Sequence, residues 1–408
     1  MISKSQHGLK FFFLNLGHFL DHFFVLIFAT SAALMLTLEW NIDYAALIPY
    51  ATPGFIAFGL FSIPAGWLAD RWSRDGMMVI FFIGIGASSV FAGFANNPLQ
   101  ISISLVLVGI FAAIYHPVGL AMVVEDRRNT GIPIAINGVF GNLGVACAAL
   151  VTGFLIDIWG WRSAFVIPGL LSVFTGILYW WFFLSMTSFD SPDQKTKDSI
   201  KGIGTSSEVI GKNVVWVFSI ILVTTAIGGF IFQSTTFSLP KILNERMPEL
   251  AGTATMVGWY AFLVFSFAAL AQLVVGYLVD HYSIRTVFSF IAILQTIFFA
   301  IMISMVGFSA LVVATAFMLV VFGQIPINDV LVGRVAPAAW RSRAYAVRSA
   351  LTFTVMASTL PLVGWIYGTR GFSALFAILS CAALVIFVAV LTLPKSAKFI
   401  KKPETVAI

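Results

Sequence analysis

Of the 408 residues, 60% are hydrophobic, 15% aromatic and 10% charged. A soluble protein carries roughly 25% charged residues, so this chain cannot cover a water-soluble globule, and its mean hydropathy of +0.98 agrees. The net charge of +6 does not indicate a nucleic-acid partner, because the Lys and Arg residues sit in short loops between apolar runs.

A helix needs about 20 mostly apolar residues to cross the hydrocarbon of a bilayer. Twelve segments meet that length: 11–38, 45–69, 77–95, 99–124, 131–158, 161–185, 213–240, 253–279, 285–306, 308–333, 343–368 and 372–393. The expected fold is therefore an all-α membrane protein with twelve transmembrane helices. The first run, Phe11 to Leu38, is too long for the apolar part of a signal peptide and ends in no small-residue cleavage site, so it should stay as a helix. The polar stretch 186–212, with Ser191, Pro192, Asp193, Lys195, Lys197, Asp198 and Lys201, reads as a solvated linker. It separates a six-helix bundle over 1–185 from a second over 213–394, and residues 395–408 form a tail. Cys147 and Cys381 both fall within spans, so no disulfide framework is expected.

Of the 23 Lys and Arg residues, only Arg162, Lys241, Arg246 and Arg370 lie on the face opposite the termini, and Arg348 lies inside the eleventh segment. The excess of positive charge on the terminal face places both termini in the cytoplasm.

The chain repeats itself. Gly66-Trp67-Leu68-Ala69-Asp70-Arg71, followed by Arg74, recurs in reduced form as Gly276-Tyr277-Leu278-Val279-Asp280, at an offset of 210 (276 minus 66). Gly153, Gly160 and Phe165 recur as Gly364, Gly371 and Phe376 at an offset of 211 (364 minus 153). Two landmarks at nearly one offset indicate a duplicated architecture, which is how many secondary transporters are built.

Gly66-x3-Asp70-Arg71-x2-Arg74, between the second and third segments, resembles the loop signature of the major facilitator superfamily. Twelve spans, a central linker and a weaker second copy agree with that resemblance over essentially the whole chain. It implies a cavity lined by helices 1, 4, 7 and 10, flanked by 2, 5, 8 and 11, and a cytoplasmic latch at Gly66, Asp70, Arg71 and Arg74, with Gly276 and Asp280 as counterparts. Gly66 allows close helix approach, and Asp70 can face an Arg or a helix N-terminus. The second copy has His281 in place of Arg71 and only Arg285 downstream, so the latch should be stronger in the first half.

Ionisable groups inside spans are costly and usually face a cavity or a partner. Segment 1 carries Asn15, His18, Asp21 and His22 within an arc of roughly 120° at 100° per residue. Asp21, with His18 and His22, is the candidate proton carrier; the alternative is that these groups bond to one another or to a neighbouring helix and only fix packing. A metal site is discounted because 18, 21 and 22 share one helix and lack a ligand from a second.

Segment 11 carries Arg348 with Thr352 and Thr359, and Arg348 lies roughly 8 Å beyond Arg343. Its guanidinium either binds an anionic substrate or pairs with Asp329 of segment 10. Segment 10 adds Gln324, Pro326 and Asn328, and segment 4 adds Tyr115-His116-Pro117. Segment 7 offers Thr225, Gly229, Gln233 and Thr236 on one stripe, and segment 5 offers Asn137 beside Gly138, Gly141 and Gly144, glycines read as packing positions.

Gly17-His18-Phe19-Leu20-Asp21 and Tyr115-His116-Pro117-Val118-Gly119 resemble the fosmidomycin-resistance-type branch of the superfamily. Two departures stand against a drug exporter: segment 4 lacks the membrane Arg of many proton-coupled members, and segment 5 lacks the Gly-Pro of drug/proton antiporters.

The sequence carries no phosphate-binding loop for an ATP-driven pump and no nucleophile–base–orienter set for an enzyme. The expected function is secondary active transport of a small polar or anionic organic solute, proton-coupled and by alternating access, in the bacterial inner membrane. No cofactor or metal is expected, and the chain should act as a monomer. The rival readings are a drug-efflux antiporter and a non-transporting receptor or assembly protein on the same fold.

Overall fold

The computed structural model describes residues 4–125, 131–187, 212–335 and 341–394. All but the edges of the linker expected at 186–212, and the tail 395–408, lie outside the described residues. Among those described, every regular element is helical.

Among the described residues, eleven helical segments are long and apolar enough to cross a membrane. We number their principal helices α1 (Lys4–Ser31), α2 (Thr52–Arg71), α3 (Arg74–Ala92), α4 (Pro98–Ala112), α5 (Gly131–Trp159), α6 (Trp161–Thr187), α7 (Lys212–Arg246), α8 (Ala254–His281), α9 (Ile284–Met302), α10 (Gly307–Val335) and α11 (Arg341–Leu391). Side-chain caps start three of them: Ser73 accepts from the Gly76 N–H, Asn97 from Gln100 and Thr253 from Met256. Several helices outrun the apolar segments. The seventh segment stops at Pro240 on sequence grounds, yet α7 continues through that proline to Arg246.

Twelve expected segments appear as eleven among the described residues because the last two meet end to end across a kink within α11, 51 residues long. Straight, it would measure about 76 Å, more than twice a bilayer core of about 30 Å. It breaks at Gly371, which has φ 69° and ψ −176°. Gly160 turns the chain between α5 and α6 with φ 79°. Both positions need a left-handed backbone that glycine adopts without a Cβ penalty, and they are the pair at offset 211 in the sequence repeat. Phe165 and Phe376, five residues past each turn, are both buried.

The other member of that repeat also has a shared role. A Cβ on Gly153 of α5 would lie 2.2 Å from the Ala254 carbonyl oxygen of α8, and one on Gly364 of α11 would lie 2.6 Å from that of Ala45. Each glycine thus lets a helix from one half of the chain touch the backbone of the other half, the small-residue packing that membrane interiors rely on. These contacts lie on the face opposite the termini. Tyr44 against Tyr367, with ring centres 5.4 Å apart, adds to them. Among the described residues, the ion pairs of the terminal face each stay within one half: Lys10 with Asp75, Arg74 with Asp70 and Glu125, Arg334 with Asp280. The two halves are therefore clasped on the face opposite the termini.

Candidate functional site

The polar face of α1 meets an interruption in the fourth span. Pro117 has no N–H to donate, and the chain there opens into a π turn over Tyr115–Gly119 before continuing as Leu120–Val124. Such turns are frequent at functional sites. The Tyr115 ring fits because two glycines flank it: a Cβ on Gly17 would come within 2.9 Å of the ring and one on Gly119 within 2.6 Å. The glycines of both short motifs thus make room for one tyrosine.

Tyr115 Oη donates to the Leu14 carbonyl at 2.8 Å and accepts from Asn137 Nδ2 at 2.8 Å. Asn137, on α5, also donates to Asn15 Oδ1 at 3.0 Å, and its backbone carbonyl accepts from His18 Nδ1 at 2.8 Å. The His18 ring stacks on Tyr115 with centres 4.9 Å apart. Gly141 clears space for that imidazole, since a Cβ there would approach it to 2.7 Å, and Gly144 admits the Phe19 backbone. The packing role expected of the α5 glycines therefore holds for these two but not for Gly138, which has nothing within 4 Å of a Cβ.

Asp21 is fully buried, with its Oδ2 3.3 Å from His116 Nε2. That geometry is too poor for a hydrogen bond, and neither carboxylate oxygen has a partner of that kind. His22 closes the group, its ring centre 5.0 Å from that of His18 and 5.5 Å from that of His116. Three of the chain's five histidines thus converge. From the sequence a metal is discounted for want of a second-helix ligand; that reason fails, because His116 supplies one from the π turn. Ligand atoms of His18, His22 and His116 lie within 4.8 Å of one another.

A second polar group lies in the other half. Gln295 of α9 donates to Gln324 Oε1 at 2.8 Å and to the Val320 carbonyl at 3.1 Å. Thr224 of α7 donates to Asn328 Oδ1 at 3.1 Å. Gln233 is buried with its Nε2 unpartnered, as are the hydroxyls of Thr225 and Thr236 on the same stripe. Arg348 is ion-paired to Asp329, so its charge is engaged within its own half. The two polar groups stay apart, and the approach between them runs through phenyl rings: Phe58 of α2 lies 6.0 Å from His116 and 5.1 Å from Phe353 of α11.

At the terminal face, Gly66 packs against Pro117 with 3.2 Å to a notional Cβ, whereas its counterpart Gly276 has open space. Arg74 donates to Asp70 at 3.0 Å and to Glu125 at 3.1 Å, and Arg71 lies over the Trp67 ring at 4.2 Å. In the second half the partner of Asp280 is Arg334, at 3.3 Å. Arg285, the downstream basic residue of that copy, donates to the Leu393 carbonyl. Glu125 and Arg334 each follow the end of their segment, at an offset of 209 (334 minus 125) that is one or two short of the repeat, and they carry opposite charge. A charged residue closing the fourth and tenth segments was the available signal for both. Gln295, a lone amide in an apolar run, was the signal for the α9 contact.

The family model described as Major Facilitator Superfamily matches residues 11–248 and 241–407. A gallate transporter of Pseudomonas putida is 28% identical over 145 residues, covering 35% of this chain and 32% of that protein. A 4-hydroxybenzoate transporter, PcaK, of Pseudomonas aeruginosa is 27% identical over 145 residues with the same coverage. The chain thus matches about a third of the length of these curated relatives, 32%. In fold, it is similar to a bacterial homologue of the human lysosomal transporter Spinster in its inward-facing, unoccupied conformation, with TM-score 0.72, 16% identity, and coverage of 98% of this chain and 100% of that one. With the family model matching nearly its whole length, the chain belongs to the Major Facilitator Superfamily.

Proposed function

We propose that the chain is a secondary transporter carrying a small organic anion, an aromatic carboxylate in the first instance, across the bacterial cytoplasmic membrane by alternating access. The reading includes twelve spans in two six-helix halves joined by a cytoplasmic linker, both termini in the cytoplasm, and a monomer as the working unit. The break at Gly371 and its match to the Gly160 turn support the count of twelve.

Arg348 is the observation that carries the substrate class. A guanidinium stays charged in any protein environment, so within a membrane span it must keep an anion. Its partner Asp329 is half exposed, 49% against 17% for Arg348. The Arg348 Nε has no hydrogen-bond partner. A substrate carboxylate can therefore take over from Asp329 and use the free N–H as a second donor. Phe58 and Phe353, with ring centres 5.1 Å apart, offer apolar contact to an aromatic body. The names of the gallate and 4-hydroxybenzoate transporters support the same class.

Asp21 supports proton coupling. A carboxylate wholly buried with no hydrogen bond to either oxygen needs a cation close by, and half-exposed His116 gives a proton a route to it. The clasp opposite the termini, with the ion pairs of the described residues on the terminal face each within one half, supports a state open toward the cytoplasm.

The test is uptake of labelled 4-hydroxybenzoate and gallate into liposomes containing the purified protein, with and without an imposed proton gradient. Saturable, gradient-stimulated uptake is expected. Absence of carboxylate flux together with gradient-driven export of apolar cations would replace this reading with drug efflux.

A further inference from the structure

The geometry points to a divalent transition-metal site formed by His18 and His22 of α1 and His116 of the π turn, with Asp21 beside it. This goes beyond the transport reading and does not rest on it, since it concerns equilibrium binding of an ion and not flux of a solute.

Four independent features carry the inference. His18 and His22 stand four residues apart on one helical face, the spacing by which a single helix offers two imidazoles to one ion. The third ligand comes from a different element, and the three ligand atoms already lie within 4.8 Å of one another. Zinc–nitrogen distances of about 2.0–2.1 Å in a tetrahedron require nitrogens about 3.3 Å apart, so closing the site takes adjustments of about 1.5 Å or less between ligand atoms.

The tautomer of His18 is also set. His18 Nδ1 faces the Asn137 carbonyl at 2.8 Å, an oxygen that can only accept, so the proton sits on Nδ1 and the lone pair on Nε2. His116 Nε2 lies 3.3 Å from Asp21 Oδ2 without a hydrogen bond between them. A carbonyl–histidine pair of this kind orients a metal-ligating imidazole.

Charge gives the third feature. Asp21 is buried with both oxygens lacking hydrogen bonds, and an ion of charge +2 a few ångströms away offsets that burial. The fourth is access. The His116 side chain is 32% exposed, so three protein ligands leave a coordination position that water or a solute carboxylate can fill, the arrangement of an open zinc site. Imidazole donors without thiolates favour Zn²⁺, Ni²⁺, Cu²⁺ and Co²⁺ over Mg²⁺ or Ca²⁺; Cys147 and Cys381 are not among the converging ligands.

The experiment uses the full chain, purified with its affinity tag removed and stripped with EDTA. Isothermal titration with ZnCl₂ measures stoichiometry and affinity, and CoCl₂ reports ligand geometry through its visible absorption. One ion per chain is expected, with the intense bands of four-coordinate cobalt. His116→Ala and His22→Ala should each abolish saturable binding, and Asp21→Asn should weaken it about 10- to 100-fold, the effect of removing an outer-shell partner. His7→Ala and His281→Ala, outside the cluster, should bind like the parent. Each variant is first shown by its thermal transition and gel filtration to be folded. Should His116→Ala be misfolded, the cobalt spectrum of the parent still decides, because a hexa-aquo-like spectrum excludes the site. Saturable binding retained in folded His116→Ala, or no zinc binding by the parent, overturns the proposal. Carboxylate uptake by the metal-free protein is scored separately, so failure of transport and failure of metal binding are distinguishable.

Discussion

Asp157, near the end of α5, accepts hydrogen bonds from Thr255 at the start of α8: 2.7 Å from its backbone N–H and 2.5 Å from its hydroxyl. The Ala254 N–H donates to the same carboxylate at 3.2 Å. A side chain of one half thus caps a helix of the other, placing a negative charge where the helix dipole favours it. This is the polar part of the clasp opposite the termini, beside the backbone contact that Gly153 permits.

Asp157→Ala should therefore shift the protein away from the clasped state. Loss of a capping side chain costs about 1 kcal/mol, so the ratio of clasped to open molecules should fall roughly fivefold. Spin labels placed across the clasp, on α5 and α8, would report this in distance distributions. Distributions unchanged from the parent would show that the glycine contacts alone hold that face.

Asp21→Asn removes the buried charge and mimics a permanently protonated residue. Exchange of substrate between two sides at equal concentration should persist, while stimulation by a proton gradient should disappear. Flux in liposomes with and without the gradient checks this. Unchanged gradient-driven uptake would leave Asp21 a packing group of α1.

Arg348→Lys keeps the charge and can still pair with Asp329, but it loses the planar fork. Substrate affinity should fall about tenfold or more, corresponding to roughly 1.4 kcal/mol, with little change in the response to a proton gradient. Binding of 4-hydroxybenzoate to purified protein, measured by titration, separates affinity from turnover. Parent-like affinity would restrict Arg348 to its ion pair.

The ion pairs of the terminal face predict an inequality. Among the described residues, Arg74 holds two carboxylates, Asp70 and Glu125, whereas Arg334 pairs with one, Asp280, and also donates to the Val279 carbonyl. These pairs are exposed, so each is worth only about 0–1 kcal/mol. Asp70→Asn should slow turnover by several-fold without impairing insertion. Arg74→Ala should slow it more than Arg334→Ala. Equal turnover in all three and the parent, at matched expression, would reduce the motif to a topology marker.

Much was legible in local order alone. Low charge density and apolar runs require a bilayer, whatever the packing. A 3.6-residue period puts Asn15, His18, Asp21 and His22 on one face of any helix that contains them, and α1 keeps that face. The repeat at offset 211 marked Gly160 and Gly371, and a left-handed backbone is a local demand that glycine meets by itself.

What the tertiary structure decided was partnership. His18 bonds a residue 119 positions away, Asn15 one 122 positions away, and Asp157 one 98 positions away. No local preference specifies such distances; they depend on which helices pack together and at what rotation. Packing brought His116 to α1 and so undid the sequence argument against a metal. It also gave Asp280 to Arg334 and sent Arg285 to a backbone carbonyl. Covalent order determines which face of a helix is polar, but a buried charge takes whatever partner the neighbouring helix presents, because in a membrane interior no water competes for it.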